Sequence, residues 1–359
     1  MKISEAKQCI KELYLNTDIV PALISERGVG KTSAFKQCAD ELGIDYLGLY
    51  AAALEGPDFM GLPDKDREKG ITRYLAPLFL PTEAAVKEGL FPLKGLLVFE
   101  EINRVPSDTV SVLYPLLLER RINGHSLAQG WKIGVTMNPD TLNYSVNSLD
   151  DAMLDRFVAI EIGADLDDYI EYSLANRPND DVLSFLQACP DMLLVTRDSA
   201  DASALSKCPT PRGWTKVQEM LCGCSLNERL MMEMTGGIVG PEAAASFFGF
   251  LRNRDFKVPD ADSLLNSFDE SQPVINEILD SGRLDVINLV IRKLVMNFEF
   301  NEKHLENLNA FLEYIPEELG IFFFKLLATK RTDDFDRAAQ SLSVFNRISD
   351  KIIGIMAVC

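Results

Sequence analysis

Histidine is nearly missing from this sequence, with His125 and His304 the only two among 359 residues. That scarcity removes His-based zinc sites and Ser-His-Asp catalysis from consideration. Cysteine is present but forms no pattern: the seven stand far apart at Cys9, Cys38, Cys189, Cys208, Cys222, Cys224 and Cys359. An odd, scattered set implies no disulfide framework. The closest pair, Cys222 and Cys224, has one residue between them and no nearby histidine, so reduced thiols are expected rather than a metal clip. Basic blocks are lacking too. Lys and Arg are dispersed through a chain of formal net charge −18, and without a run of cations to neutralise phosphates, direct nucleic-acid binding is not expected. No apolar run approaches the ~18 residues needed to span a bilayer. The opening MKISEAKQCIKELYL lacks the charged, apolar and cleavage-site succession of a secretory signal. The expectation is a cytoplasmic protein without membrane contact.

What is present is the balance of a globular protein, 47% hydrophobic and 25% charged residues, which argues against a disordered or fibrous chain. Its length exceeds what one core usually supports, so two packed units and a small third are expected. The first two-fifths alternates apolar runs with helical patterns, the signature of an α/β fold with a parallel sheet. The candidate strands are 19–24, 46–51, 96–99, 133–137 and 158–162. Phe35, Cys38, Ala39 and Leu42 recur at helical spacing after the first strand, and Val110, Leu113 and Leu117 after the third. Pro115 in the latter helix should kink it or leave a carbonyl unbonded near Ser111. From about Asp165 the strand signals fade, and polar stretches such as ANRPNDD and SKCPTPRG separate helical segments. After TGGIVGP, Leu284, Ile287, Ile291, Leu294 and Val295 mark one amphipathic helix, and Phe311, Leu312 and Ile315 fall on another. The terminal region reads as a small helical bundle.

Two segments carry chemistry. The first is SERGVGKTS at 25–33, directly after the first strand and opening the first helix, which is a phosphate loop in its proper context. Ser25, Arg27, Gly28, Val29, Gly30, Lys31, Thr32 and Ser33 form the candidate cradle for ATP. Glycines let the backbone wrap a phosphate, the helix N-terminus adds its dipole, and Lys31 supplies charge for the outer phosphates. Thr32 would hold Mg²⁺ through its hydroxyl. Ser25 stands where the usual pattern has its first glycine, so a β-carbon must fit at the strand exit. The second segment is GLLVFEEINR at 95–104, an apolar strand ending in two carboxylates. Placed after a phosphate loop, they read as a metal residue, Glu100, and a water-orienting residue, Glu101.

Taken with E-I-N-R after that strand, the segments WKIGVTMNPD and LDDAMLDRFVAIEI resemble those of MoxR-like AAA+ ATPases. So do GPDFMGLPD with ITRYLAPLFLP, TPRGW, and GGIVGPEAAASFFGFL, in order from about Asp18 to Arg252. The resemblance implies an AAA+ sheet domain at 1–164 and an all-α lid at 165–255; the last hundred residues carry none of its motifs, and the C-terminal helical bundle at 256–359 rests on their helical periodicity. It implies ATP hydrolysis with Mg²⁺ at the subunit interfaces of a homo-oligomeric ring, hexameric in expectation, that remodels partner proteins. A von Willebrand factor A domain protein is the partner class it suggests. By the same carry-over Asn138 is the sensor beside Glu101, Arg156 the arginine finger for the neighbouring subunit, and Arg212 the second sensor. On their own, Asn138 reads as a turn residue before Pro139 and Arg156 as a surface ion pair with Asp155. That family's strand ordinarily ends Asp-Glu, so Glu100-Glu101 departs by one methylene, leaving open a nucleotide-dependent assembly switch with little turnover. Arg120 and Arg121 are further candidates for facing a neighbour. In the long insertion at 56–81, Phe59, Arg73 and Tyr74 are candidates for a central pore or, equally, for an aromatic hairpin packed on its own domain.

Overall fold

The run GLLVFE has no polar residue before its final carboxylate, as a strand covered on both faces requires, and it forms a central strand with all six positions buried. In the computed structural model, which describes residues 1–139, 151–196, 207–252 and 259–356, five parallel strands make the main sheet. They are β1 (Val20–Ile24), β2 (Asp45–Tyr50), β3 (Gly95–Glu100), β4 (Trp131–Met137) and β5 (Phe157–Glu161). Their spatial order is β2-β3-β4-β1-β5. Each expected strand is present, shifted by a residue or two at its ends. The fold class is the expected one in its architecture, a parallel α/β sheet flanked by helices and followed, among the described residues, by an all-helical region. Cys359, Asp140, Leu149 and Asp150 of the quoted motifs, Ser206, and the expected boundary at 255/256 lie outside the described residues.

The two-residue period of β3 divides its side chains between two cores. Leu96 and Val98 face Phe35, Cys38 and Ala39 of the helix Lys31–Leu42, with Ala6 and Ile10 of the helix Ile3–Asn16. Leu97 and Phe99 face the opposite way, into a cluster with Phe59, Leu113, Leu116 and Trp131. Pro115 breaks its helix, as its missing N–H demands, into Ser107–Val112 and Tyr114–Glu119. It sits at the start of the second piece, where an N–H would have no intrahelical acceptor.

The chain divides into two compact units, the sheet unit of Met1–Tyr169, Leu193–Lys216 and Ile238–Gly240, and a helical unit made of the rest. The helical unit's largest core runs from Ala261 to Ile348. At its centre is the helix Leu284–Asn297, buried through Val286, Ile287, Leu289, Val290, Ile291, Leu294 and Val295. Leu284, expected on that face, starts the helix and is exposed. Phe324 makes edge-to-face contacts with Phe323 at 5.2 Å and Phe345 at 5.0 Å. Among the described residues no helix is long and apolar enough to cross a membrane.

Candidate functional site

The candidate phosphate loop leaves the end of β1 and enters the helix at Lys31. Gly28 (φ 76°) and Gly30 (φ 130°) adopt backbone conformations that a β-carbon disfavours. At Gly28 there is no room either: a Cβ would stand 2.9 Å from the Thr210 side chain. The loop is braced there, because the Arg212 amide donates to Gly28 O at 3.1 Å. Lys31 is 8% exposed, and its ammonium donates to Ser25 O at 2.7 Å and Asn138 Oδ1 at 3.1 Å. Burial drives its pKa down to about 8; Glu101, Glu26 and Glu100 oppose that shift, while Arg212 adds to it. Ser25, the departure from glycine, is accommodated: its hydroxyl donates to Glu26 O at 2.9 Å and accepts from Lys31 Nζ at 3.3 Å. Arg27 is exposed at the loop's rim, Val29 is buried beneath it, and Ser33 is exposed on the first turn of the helix.

Two strands away, Glu100 ends β3 at 6% exposure. Its Oε2 accepts from the Thr32 hydroxyl at 2.6 Å, and its Oε1 accepts from the Tyr46 phenol at 3.0 Å. Burial and the adjoining Glu100 carboxylate raise the Tyr46 pKa well above the ordinary phenol value, so the phenol remains a donor. Oxygen-only donors suit Mg²⁺, which takes one or two protein groups and completes an octahedron with water and substrate phosphate. Adjacent oxygens in that octahedron lie about 3 Å apart, so Thr32 and Glu100 fit it with a small opening. No cluster of three or more His, Cys, Asp or Glu suited to a metal exists among the described residues.

Glu101 turns the chain out of the sheet in the left-handed conformation, φ 55°. Its amide donates to Thr136 Oγ1 at 3.0 Å, and its carboxylate pairs with Arg104 at 2.8 Å. Asn138, just past β4, is clamped through its backbone by Asn103: the Asn103 Nδ2 donates to Asn138 O at 2.7 Å, and the Asn138 amide donates to Asn103 Oδ1 at 3.2 Å. Because β4 lies between β1 and β3, Asn138 emerges between the loop lysine and the paired carboxylates. Lys31, Thr32, Glu100, Glu101 and Asn138 thus converge at the carboxyl end of the sheet, with Arg212 acting on Lys31 electrostatically. Asn103 and Thr136 lie inside the quoted motifs, yet only the fold reveals them as braces. Tyr46 gave no sequence signal at all.

Arg156 stands elsewhere. Its guanidinium lies 4.7 Å from the Tyr114 ring centroid, its Nε is buried without a hydrogen-bond partner, and it pairs with no described carboxylate, Asp155 included. Arg120 is committed to its own unit, pairing with Asp18 at 2.6 Å and donating to Trp131 O at 2.7 Å. Arg121 pairs with Glu119. Of the two readings of Phe59, packing on its own domain holds: it is fully buried against Phe79 and Phe99, which removes it as a pore candidate. The rest of the insertion contains a hairpin, Pro63–Asp66 with Ile71–Tyr74, and Arg73 and Tyr74 are exposed on it.

No protein-family model matches the chain, and no curated protein does. Solved structures do align with it. A candidate ATPase from Cytophaga hutchinsonii is 16% identical over 70% of this chain and 89% of its own, with a TM-score of 0.35. The RuvB Holliday junction branch migration motor of Thermotoga maritima is 15% identical over 73% of this chain and 72% of its own, with a TM-score of 0.35. PCH-2 of C. elegans is 14% identical over 70% and 69%, with a TM-score of 0.32. Likenesses this distant decide nothing about activity; the fold class stands on the chain's own strand order and loop geometry.

Proposed function

We propose that the chain is a MoxR-like AAA+ ATPase that hydrolyses ATP at the subunit interfaces of a ring, hexameric by resemblance, to remodel or activate partner proteins. The observation that carries this reading is the convergence of the loop with two strand ends: Lys31 Nζ lies 3.1 Å from Asn138 Oδ1, and Thr32 Oγ1 lies 2.6 Å from Glu100 Oε2. Residues from three separate segments meet where a γ-phosphate would lie if the loop cradles ATP. Mg²⁺, when bound, neutralises charge on the transferring phosphoryl group. Thr32 and Glu100 would hold the ion, Lys31 would bind the outer phosphates, and Glu101 would orient the attacking water with Asn138. Arg212 would report on the γ-phosphate from the loop's flank. Arg156, tied to no described acid of its own chain, would serve the neighbour's site.

The division into a nucleotide-binding domain at 1–164, a lid at 165–255 and a terminal bundle at 256–359 belongs to the proposal. So do a cytoplasmic setting, a von Willebrand factor A domain partner and the absence of direct nucleic-acid contact. The alternative, an assembly switch with little turnover, is favoured by one feature: Glu101 is engaged by Arg104.

Wild-type protein with Mg²⁺ and ATP is expected to release phosphate well above a Lys31→Ala control, and equal rates would leave the switch. An arginine finger supplied in trans is worth roughly 10³ to 10⁵ in rate. Arg156→Ala should therefore be inactive alone, and mixing it with Lys31→Ala under subunit exchange should restore part of the activity. Exchange shown by an independent label with no recovery would remove Arg156 from the neighbour's site.

A further inference from the structure

Glu100 occupies a position where one methylene fewer would be ordinary for the reading above, and the neighbouring strand carries a feature that answers it. Opposite Glu100 in the β2–β3 register stands Tyr50, which is exposed, whereas Tyr46 is paired with Leu96, four residues earlier. Yet it is Tyr46 whose phenol reaches Glu100 Oε1 at 3.0 Å. Residues 46, 48 and 50 share a face of the sheet, so the ring must lie along the strand and cross position 48. That position is glycine. A Cβ on Gly48 would stand 2.5 Å from the Tyr46 hydroxyl oxygen, 2.9 Å from its Cε1 and 3.0 Å from Glu100 Oε1. Glycine weakens a strand interior and is kept where something must approach the backbone closely; here the visitor is the phenol. The Lys36 ammonium, 5.4 Å from the ring centroid, pins the ring further.

We propose that Tyr46 is a positioning residue for the metal carboxylate, holding Glu100 Oε1 so that Oε2 is presented to Thr32, with Gly48 as the bare strand position that lets it do so. Tyr46, Gly48 and Glu100 form one device that adapts the longer acid to the site. The inference rests on the reading of Thr32 and Glu100 as the Mg²⁺ pair.

The test uses the full chain as wild type, Tyr46→Phe, Glu100→Asp and the double variant, with a fluorescent ADP titrated in EDTA and at graded Mg²⁺. Thermal unfolding of each checks that the fold survives. Tyr46→Phe should leave the affinity in EDTA unchanged and raise the Mg²⁺ half-saturation point about tenfold, the size of effect expected when a ligand's hydrogen-bonded support is removed. In the Glu100→Asp background the same change should alter it less than about twofold, because the shorter acid does not reach the phenol. Gly48→Ala should mimic Tyr46→Phe. Electron paramagnetic resonance of Mn²⁺ with ADP gives the same comparison without turnover. An unchanged half-saturation point, an equal loss in EDTA, or an equal effect in both acid backgrounds overturns the inference while leaving the ATPase reading intact. A wild type whose ADP affinity is indifferent to Mg²⁺ overturns the metal reading and the inference with it.

Discussion

The two units bury polar groups in different places: those of the helical unit, among the described residues, are Ser173, Ser184, Gln218, Thr235, Ser271 and Arg292. The helical unit's largest core is built from Phe, Leu, Ile and Val packed ring to edge and methyl to methyl. The sheet unit buries Lys31, Glu100, Asn103, Thr136 and Asn138 near one end of its strands. All three non-glycine residues with positive φ among the described residues, Glu101, Arg120 and Asn123, are also in the sheet unit. Buried polar groups and left-handed backbone each cost stability unless the surroundings compensate. In the sheet unit the compensation is explicit: Asn103 satisfies the Asn138 backbone, and Thr136 accepts the Glu101 amide. The gathering of these groups where the loop and two strand ends meet is what a site shaped for chemistry requires.

That contrast can be broken at either end. The largest effect is expected from Glu101→Gln, which in the proposed reading keeps the phosphate cradle and removes only the water's partner. ATP affinity should hold while turnover falls roughly 10²- to 10⁴-fold, read by phosphate release beside a binding titration; if Glu100→Gln gives that phenotype instead, the assignment of the two acids is reversed. Next is Phe324→Ala in the bundle, which should lower the unfolding free energy by about 3 to 5 kcal/mol through the cavity it leaves without changing nucleotide affinity. A matching loss of affinity in denaturant-free titrations would show that the units are not separable in their tasks.

Lys31→Met sharpens the comparison from the other side. The ammonium's pKa is about 8 in the folded chain against 10.5 for the free group. Below pH 8 folded and unfolded states both hold the proton, and the native state bears the full cost of burying it. Between pH 8 and 10.5 the unfolded state binds more protons, so this group makes stability rise with pH across that window. Lys31→Met should therefore be more stable than wild type at pH 7, by roughly 3 kcal/mol at most, with the advantage shrinking towards pH 10 in urea melts. A constant difference would locate the cost in packing rather than charge. The smallest change is expected from Arg104→Ala. Its pair with Glu101 is partly exposed, so stability should shift by less than about 1 kcal/mol. Faster phosphate release in that variant would identify the pair as a restraint on Glu101, and a large melting shift would contradict its surface character.

Much of this organisation was legible in the residues. GLLVFE reads as an apolar strand because no polar group interrupts it before its closing carboxylate, and the glycine-rich loop is marked by its glycines and its place between strand and helix. Pro115 announced a break because it has no N–H to give. Phe59 stood open between a pore and its own domain's core, because an aromatic in a long insertion looks the same whether it points outward or, as here, closes a core against Phe99. Tyr46 escaped notice because its partner lies on another strand and out of register.

By itself the sequence determined the local elements and their polarity: which runs are apolar strands, where a glycine-rich loop opens a helix, and where two acids end a strand. These follow from period, side-chain volume and backbone freedom, all properties of neighbours along the chain. Only the tertiary structure decided that β4 lies between β1 and β3, bringing Asn138 to Lys31 across 107 positions of sequence, and that Tyr46 crosses a glycine to hold Glu100. Strand order and side-chain direction depend on how whole layers pack, and no short stretch of residues contains that information.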